Sequence, residues 1–293
     1  MKPELRPYDH PERIPCGALY TFEMEMTPYP DHRTRTIRVW LPPEYDGEKR
    51  FPVIYMHDGQ NVFTCQPDGS TLDVDGALNR LRPQGIAAIV VAIDTCSELR
   101  ITELTPPYPR TGLVNGVRIP VFELPSTTET YTEFVVNTLK PLIDENFRTL
   151  PDAEHTCVGG ISAGGSASYY MFMRNPEVFG KAIVCSPGFP VFPQEWLLNM
   201  VEEYDFSRLE NHRIAFYNGD QTLDVTSLDS VLAVYRKFKE KGMDGRHCMF
   251  LLDTRQEHYE GAWAKYMPEL LEFLFAEDNS QPVRPAHPLN PPL

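Results

Sequence analysis

The run Cys157-Val158-Gly159-Gly160-Ile161-Ser162-Ala163-Gly164-Gly165 restricts the folds open to this chain more than any other stretch. It reads as a strand handed to a helix through Gly-x-Ser-x-Gly, which forces the serine onto a tight, strained turn with its hydroxyl pointing away from a sheet. Gly160 and Gly164 flank the serine because side chains there would collide where strand and helix cross. Ser166, Ala167 and Ser168 prolong the small-residue run, so the helix can press on the sheet. The helix is predicted to pass through Tyr169, Tyr170 and Met173 and to end near Asn175-Pro176, where proline cannot continue it. Taken alone, the pentapeptide is equally compatible with a Gly/Ser-rich loop of no chemical meaning. The remaining chain has to decide.

Before this segment, Ala18 to Met26 and Thr36 to Leu41 alternate apolar and polar residues, as half-buried antiparallel strands do. Continuous apolar runs follow at Pro52–Met56 and Ile86–Ile93, the pattern of strands covered on both faces in a parallel sheet. A short helix is predicted from Asp75 to Leu81 and a longer one from Tyr131 to Asn146, where Phe134, Val135, Leu139 and Leu142 recur at helical spacing. Between them, Asp94 to Thr130 is rich in Pro and Thr and is predicted to be a long loop or lid. After the serine come strands at Ala182–Cys185, Ile214–Tyr217 and Cys248–Leu252. Helices at Gln194–Glu203, Ser227–Lys241 and Trp263–Phe275 accompany them. This alternation predicts an α/β fold: a mostly parallel central sheet with helices on both faces and antiparallel strands at its N-terminal side.

With 293 residues, 42% of them apolar, the chain can bury a sizeable core. No repeat or low-complexity linker divides it. One domain is therefore expected over 1–278, with the lid at 94–130, a helical insert at 188–211 and a proline-rich tail at 279–293. Twenty-seven Lys and Arg face 41 acidic residues, a formal charge of −14. That balance argues against nucleic acid or an anionic membrane surface as a partner and disfavours a strongly anionic substrate. The opening Lys2-Pro3-Glu4-Leu5-Arg6-Pro7 is polar and proline-broken, unlike a signal peptide, and no apolar stretch is long enough to span a bilayer. The cysteines at 16, 65, 96, 157, 185 and 248 are scattered without metal-type spacing, and several fall in apolar strands as buried thiols do. A cytoplasmic location is the expectation, although removal of a signal would leave the same pattern.

A serine hydroxyl needs a base to take its proton, and the base needs a carboxylate to orient it. In a sheet of this topology the order is Ser, acid, His. His10, His32, His57 and His155 precede the serine. His212 and His247 sit just before strands, at the wrong end of a parallel sheet, and His287 lies in the tail. His258 alone follows the last strand and precedes the closing helix, at the strand ends where ligands bind. The acid should follow Ile214–Tyr217, where Asp220 and Asp224 are the candidates. Asp220 also fits a turn beside Gly219, and Asp224 also fits a helix cap. Asp224 is the first choice and Asp220 the second. Backbone amides for a tetrahedral oxyanion are expected from Ala163, after the nucleophile, and from the loop His57-Asp58-Gly59-Gln60-Asn61. Gly59 is the first choice there, because a glycine lets substrate approach the backbone, and Gln60 the second. His57 and Asp58, with or without Asp75, lack metal-site spacing and are read as structural; no metal is expected.

Several blocks in order resemble the esterase D / enterochelin-esterase-like group of α/β-hydrolases, which includes carbohydrate esterase family 1. They are Ile37-Arg38-Val39-Trp40-Leu41-Pro42-Pro43-Glu44-Tyr45, Val53 to Phe63 with its His57-Asp58-Gly59-Gln60-Asn61, and Arg100-Ile101-Thr102-Glu103-Leu104-Thr105-Pro106. Tyr131-Thr132-Glu133-Phe134 leads on to Leu139-Lys140-Pro141-Leu142-Ile143-Asp144; the serine turn and His258 with Trp263 complete the set. The resemblance covers roughly Arg35 to Phe275 and is far more specific than the serine turn alone. It implies an α/β-hydrolase fold, hydrolysis of carboxylic esters through an acyl-serine intermediate, and no cofactor. It departs at the acid: the family pattern Gly-x-x-acid would put Thr222 where a carboxylate belongs. Arg100 and Glu103, which match a family motif, are read as an ion pair pinning the long loop. Within the family, feruloyl or acetyl esters of carbohydrates suit the acidic chain better than a ferric siderophore trilactone. Tyr108, Phe122, Phe189, Phe192 and Trp196 could wall an acyl site or simply pack the insert down. The same machinery could serve an acyltransferase, and a non-catalytic binding scaffold would keep the same fold.

Overall fold

A computed structural model describes residues 2–27, 29–64, 70–107, 113–114, 117–118 and 124–276. Its strands are β1 (Arg6–Pro7), β2 (Ala18–Glu25), β3 (Thr34–Leu41), β4 (Val53–His57), β5 (Ile89–Ile93), β6 (Leu113–Val114), β7 (Val117–Arg118), β8 (Thr156–Ile161), β9 (Lys181–Cys185), β10 (Arg213–Gly219) and β11 (Cys248–Asp253). The helices are α1 (Val74–Leu81), α2 (Arg100–Leu104), α3 (Thr128–Glu133), α4 (Lys140–Asn146), α5 (Ala163–Arg174), α6 (Gln194–Glu203), α7 (Asp224–Glu240) and α8 (Glu260–Phe275). A π-type stretch, Phe134–Leu139, joins α3 to α4.

Nine strands form one sheet in the order β1-β2-β3-β5-β4-β8-β9-β10-β11. The pairs from β1 through β3 to β5 are antiparallel; β5, β4, β8, β9, β10 and β11 run parallel. The chain alternates sides of the sheet at every residue, and this sorts the apolar runs into two cores. Val53, Tyr55, Val158, Val184 and Phe216 face a core shared with α4, α5, α6 and α7. Ile54, Met56, Cys157, Ile183 and Tyr217 face the other, closed by α1 and α8. Double coverage explains why these strands read as continuous apolar runs rather than alternating ones.

The predicted strand Ile86–Ile93 begins only at Ile89. Its partner β4 starts at Val53, which pairs with Ile89, so Ile86 to Ala88 have no neighbouring ladder and Ile86 is buried outside the sheet. The segment expected as one long loop from Asp94 carries α2 and the short antiparallel pair β6–β7. Tyr108 and Phe122, the rest of that segment over 108–123, and the tail 279–293 lie outside the described residues. No helix among the described residues is long and apolar enough to cross a membrane.

Candidate active site

Parallel strands bring their carboxyl ends to one edge of the sheet, and the site is assembled there from the turns after β4, β8, β9, β10 and β11. Ser162 sits between β8 and α5 at φ 56°, ψ −121°, a conformation that only a tightly constrained turn imposes on a non-glycine residue. The turn closes because Gly160 and Gly164 touch. A Cβ on Gly160 would lie 2.6 Å from the Gly164 carbonyl carbon, so no side chain fits at that crossing. Ser162 N–H donates to Cys185 O at 2.9 Å, and Ser162 O accepts from Gly188 N–H at 3.1 Å, binding the turn to the chain that leaves β9. Ala163 opens α5, so its amide is one of the helix's first N–H groups and has no acceptor within the helix.

His258 and Asp224 meet: His258 Nδ1 lies 2.5 Å from Asp224 Oδ1, with the carboxylate fully buried and the imidazole half-buried. A carboxylate on Nδ1 favours the tautomer with the proton there and leaves Nε2 to exchange protons. The other oxygen, Asp224 Oδ2, accepts from Ser186 Oγ at 2.7 Å and from Gly219 N–H at 2.8 Å. Asp224 is also the first residue of α7, where a negative charge is favoured by the helix dipole. Asp220, the second-choice acid, points elsewhere. It accepts from Arg255 N–H at 2.6 Å and Gln221 Nε2 at 2.9 Å, clasping the β10 and β11 loops together. Thr222, at the family pattern's acid position, is in the left-handed region at φ 50° and takes the His258 backbone N–H at 3.1 Å. Thr222 therefore holds the backbone of the histidine loop, and Asp224 holds its ring.

The turn after β4 begins with Asp58 in the left-handed region and continues as the 3-10 turn Gly59–Asn61. The Gly59 and Gln60 amides open that turn and have no acceptor within it. The space beside the Gly59 Cα is taken by the end of β5: a Cβ there would meet Asp94 Oδ1 at 2.6 Å and Asp94 N at 2.8 Å. Glycine is thus required for packing against β5, not only to clear a path for substrate. The Gln60 side chain is tied to Thr95 in both directions, and Asn61 Nδ2 donates to Glu260 Oε1 at 3.3 Å, bringing this turn beside the histidine loop. A Cβ on Gly164 would lie 3.2 Å from Asp58 Oδ2, so the turn also touches the serine helix.

Arg100 and Glu103, expected to pair with each other, bind separate partners. Arg100 forks onto Asp58, Nε to Oδ1 at 2.6 Å and a terminal nitrogen to Oδ2 at 2.9 Å. Glu103 instead takes Arg33 at 2.9 Å and Arg35 at 2.6 Å. Each side chain is taken up by a nearer opposite charge, so α2 is pinned at two points, to the β4 turn and to β3. His57 is fully buried, 3.0 Å from the Tyr131 hydroxyl. Burial pushes its pKa down to about 4, so a neutral imidazole underlies the turn; the Asp58 charge opposes that shift and Arg100 adds to it. Asp75 lies apart from His57, bound by Thr64 N–H and Oγ1.

Among the described residues, one group of His, Cys, Asp and Glu has ligand atoms close enough for a metal: Asp152, Glu154 and His155. It precedes β8, at the opposite end of that strand from Ser162, and Asp152 there caps its own 3-10 turn and pairs with His155 at 2.8 Å. Of the proposed wall residues, Phe189 is fully buried against the Tyr169 ring at 5.1 Å, and Phe192 packs tilted against Trp196 at 4.8 Å. Both phenylalanines therefore pack the insert down. Sequence reasoning saw Thr222 only as a departure from the family pattern, and it missed Ser186 altogether, since a serine after a strand carries no signal of its own. Trp263 was noticed only as part of a pattern.

Comparison with known proteins bears on the fold and the family. Residues 31–271 match the family model described as "Putative esterase". A Bacillus subtilis (strain 168) protein, the uncharacterized protein YbbA, is 23% identical over 255 residues, covering 84% of this chain and 94% of its own length. Among solved structures, the siderophore hydrolase EstA from Aspergillus nidulans superposes with a TM-score of 0.66 at 14% identity, over 87% of this chain and 94% of that one. A ferulic acid esterase does so with a TM-score of 0.61 at 17% identity, over 87% and 97%. These structural likenesses show the fold. The chain belongs to the esterase family, and the class of its chemistry is hydrolysis of carboxylic esters.

Proposed function

We propose that this esterase acts through Ser162 as nucleophile, His258 as general base and acid, and Asp224 as the orienting carboxylate, on acyl esters of carbohydrates of the feruloyl or acetyl type. The observation that carries the reading is the 2.5 Å contact of His258 Nδ1 with Asp224, built on the same Cys185–Gly188 segment that holds the Ser162 backbone. Ser162 Oγ attacks the acyl carbon as its proton passes to His258 Nε2, and Asp224 stabilises the imidazolium formed. The carbonyl oxygen, now an oxyanion, takes the Ala163 amide and that of Gly59 or Gln60. Collapse breaks the ester bond, and His258 returns the proton to the departing alcohol. Water then attacks the acyl-serine by the same route and releases the acid.

The substrate class is argued from charge. The whole chain carries −14, and Asp220, Glu257 and Glu260 repeat that sign around His258, with Arg255 beside them. A ferric siderophore trilactone is itself anionic and meets repulsion there, whereas neutral saccharide esters do not. Likeness to a ferulic acid esterase and to a siderophore hydrolase makes both substrate types worth assaying. The test is hydrolysis of feruloyl, acetyl and siderophore esters by wild type and Ser162→Ala. Turnover of the saccharide esters, lost in Ser162→Ala, is expected. Preference for the siderophore ester would overturn the substrate assignment, acyl transfer to an added alcohol in place of hydrolysis would mark a transferase, and equal rates for the two proteins would indicate a scaffold.

A further inference from the structure

Behind Asp224 lies a closed circuit of side chains. Trp263 Nε1–H donates to Ser186 Oγ at 2.9 Å, Ser186 Oγ–H donates to Asp224 Oδ2 at 2.7 Å, and Asp224 Oδ1 meets His258 Nδ1 at 2.5 Å. The indole then returns to the imidazole edge-on, with ring centroids 4.9 Å apart and planes at 90°. Each link comes from a different part of the chain: α8, the β9 turn, the start of α7 and the β11 loop. Ser186 and Asp224 are both buried and Trp263 is 2% exposed, so water does not compete for these bonds.

Ser186 is held at φ 40°, a left-handed conformation that disfavours a residue with a Cβ. Its backbone N–H donates to Tyr217 O at 2.8 Å, and the residue before it accepts the Ser162 amide. A glycine would suit that backbone better. What serine adds is a hydroxyl that both accepts from the indole and donates to the carboxylate, which glycine cannot do.

We propose that Ser186 and Trp263 are positioning residues: Ser186 fixes the Asp224 carboxylate, Trp263 fixes the Ser186 hydroxyl, and together they hold the His258 ring in its proton-transferring orientation. Neither touches substrate. The inference rests on the assignment of Ser162, His258 and Asp224 as the reacting set. The circuit is completed only through Trp263, so the indole acts on His258 twice, by edge contact and through Ser186.

Ser186→Gly separates positioning from mere structure, because it removes the hydroxyl while relieving the left-handed backbone. On p-nitrophenyl acetate, kcat is expected to fall about ten-fold, with KM within about two-fold and Tm unchanged or higher. The downfield proton resonance of the His258–Asp224 hydrogen bond should weaken or move. Trp263→Phe keeps a ring against His258 but removes the donor, and should give a smaller fall in kcat at similar KM. Unchanged kcat and an unchanged resonance in Ser186→Gly would overturn the proposal. So would a fall in activity that tracks a fall in Tm while the resonance stays in place. Ser162→Ala run alongside tells the two failures apart: if it is as active as wild type, the underlying assignment has failed, not the positioning role alone.

Discussion

Asp220 and Asp224 share one loop and one charge, yet their environments give them different work. Asp224 is fully buried and receives Ser186, Gly219 and His258, while Asp220 ties Arg255 to the loop near the surface. Replacing Asp224 by Asn presents an amide to His258 Nδ1, which either loses the bond or inverts the tautomer. In a serine–histidine–carboxylate set that costs about 10³- to 10⁴-fold in kcat. Asp220→Asn should remain within a few-fold of wild type, since only a loop clasp is weakened. Steady-state kinetics on a p-nitrophenyl ester check this, and the reverse ranking would make Asp220 the acid. The proposed nucleophile and base could be picked from the sequence because each choice follows from position along an α/β chain. The acid was legible only as one of two, because Thr222 occupies the expected spacing and the choice depends on a loop path that spacing does not encode. Ser186 was not legible at all: its partners Asp224 and Trp263 are brought to it only by the folded sheet.

At the scale of elements, apolar runs and proline stops located most strands and helices, including α6 at its observed bounds, Gln194–Glu203. The elements missed outright were β1, Arg6–Pro7, too short to show any period, and α2 with the β6–β7 pair inside the segment expected as a loop. The helix expected from Tyr131 begins at Thr128 and widens to π-type just before Pro141, whose missing amide removes one α-helical hydrogen bond. Where β4 ends, His57 meets Tyr131 in full burial, which gives the protein a pH dependence. With a folded pKa of about 4 against about 6.5 unfolded, the native state refuses a proton that the unfolded chain accepts. The resulting stability is fully present above about pH 6.5 and is lost as pH falls toward 4. Between pH 7 and 5.5, His57 should account for about 1 kcal/mol of lost unfolding free energy. Asp75, raised by burial, opposes this at lower pH, and His212, also pushed down to about 4, adds to it. Urea denaturation of wild type and His57→Gln at both pH values isolates the term. The variant should lose about 1 kcal/mol less than wild type over that interval, and identical losses would remove His57 as a cause.

Over the whole molecule, two apolar cores clamp a sheet whose parallel strands all end at one edge, and that edge collects the chemistry. The proposed nucleophile, oxyanion turn, acid and base leave β8, β4, β10 and β11, and the β9 turn links the first to the third. The central claim is that Ser162 becomes acylated, and covalent trapping tests it most directly. Wild-type protein treated with a fluorophosphonate probe, digested and mapped by mass spectrometry, should carry the label on the Ser162 peptide, and Ser162→Ala should carry none. Label on another residue, or ester hydrolysis without label on Ser162, would contradict the account.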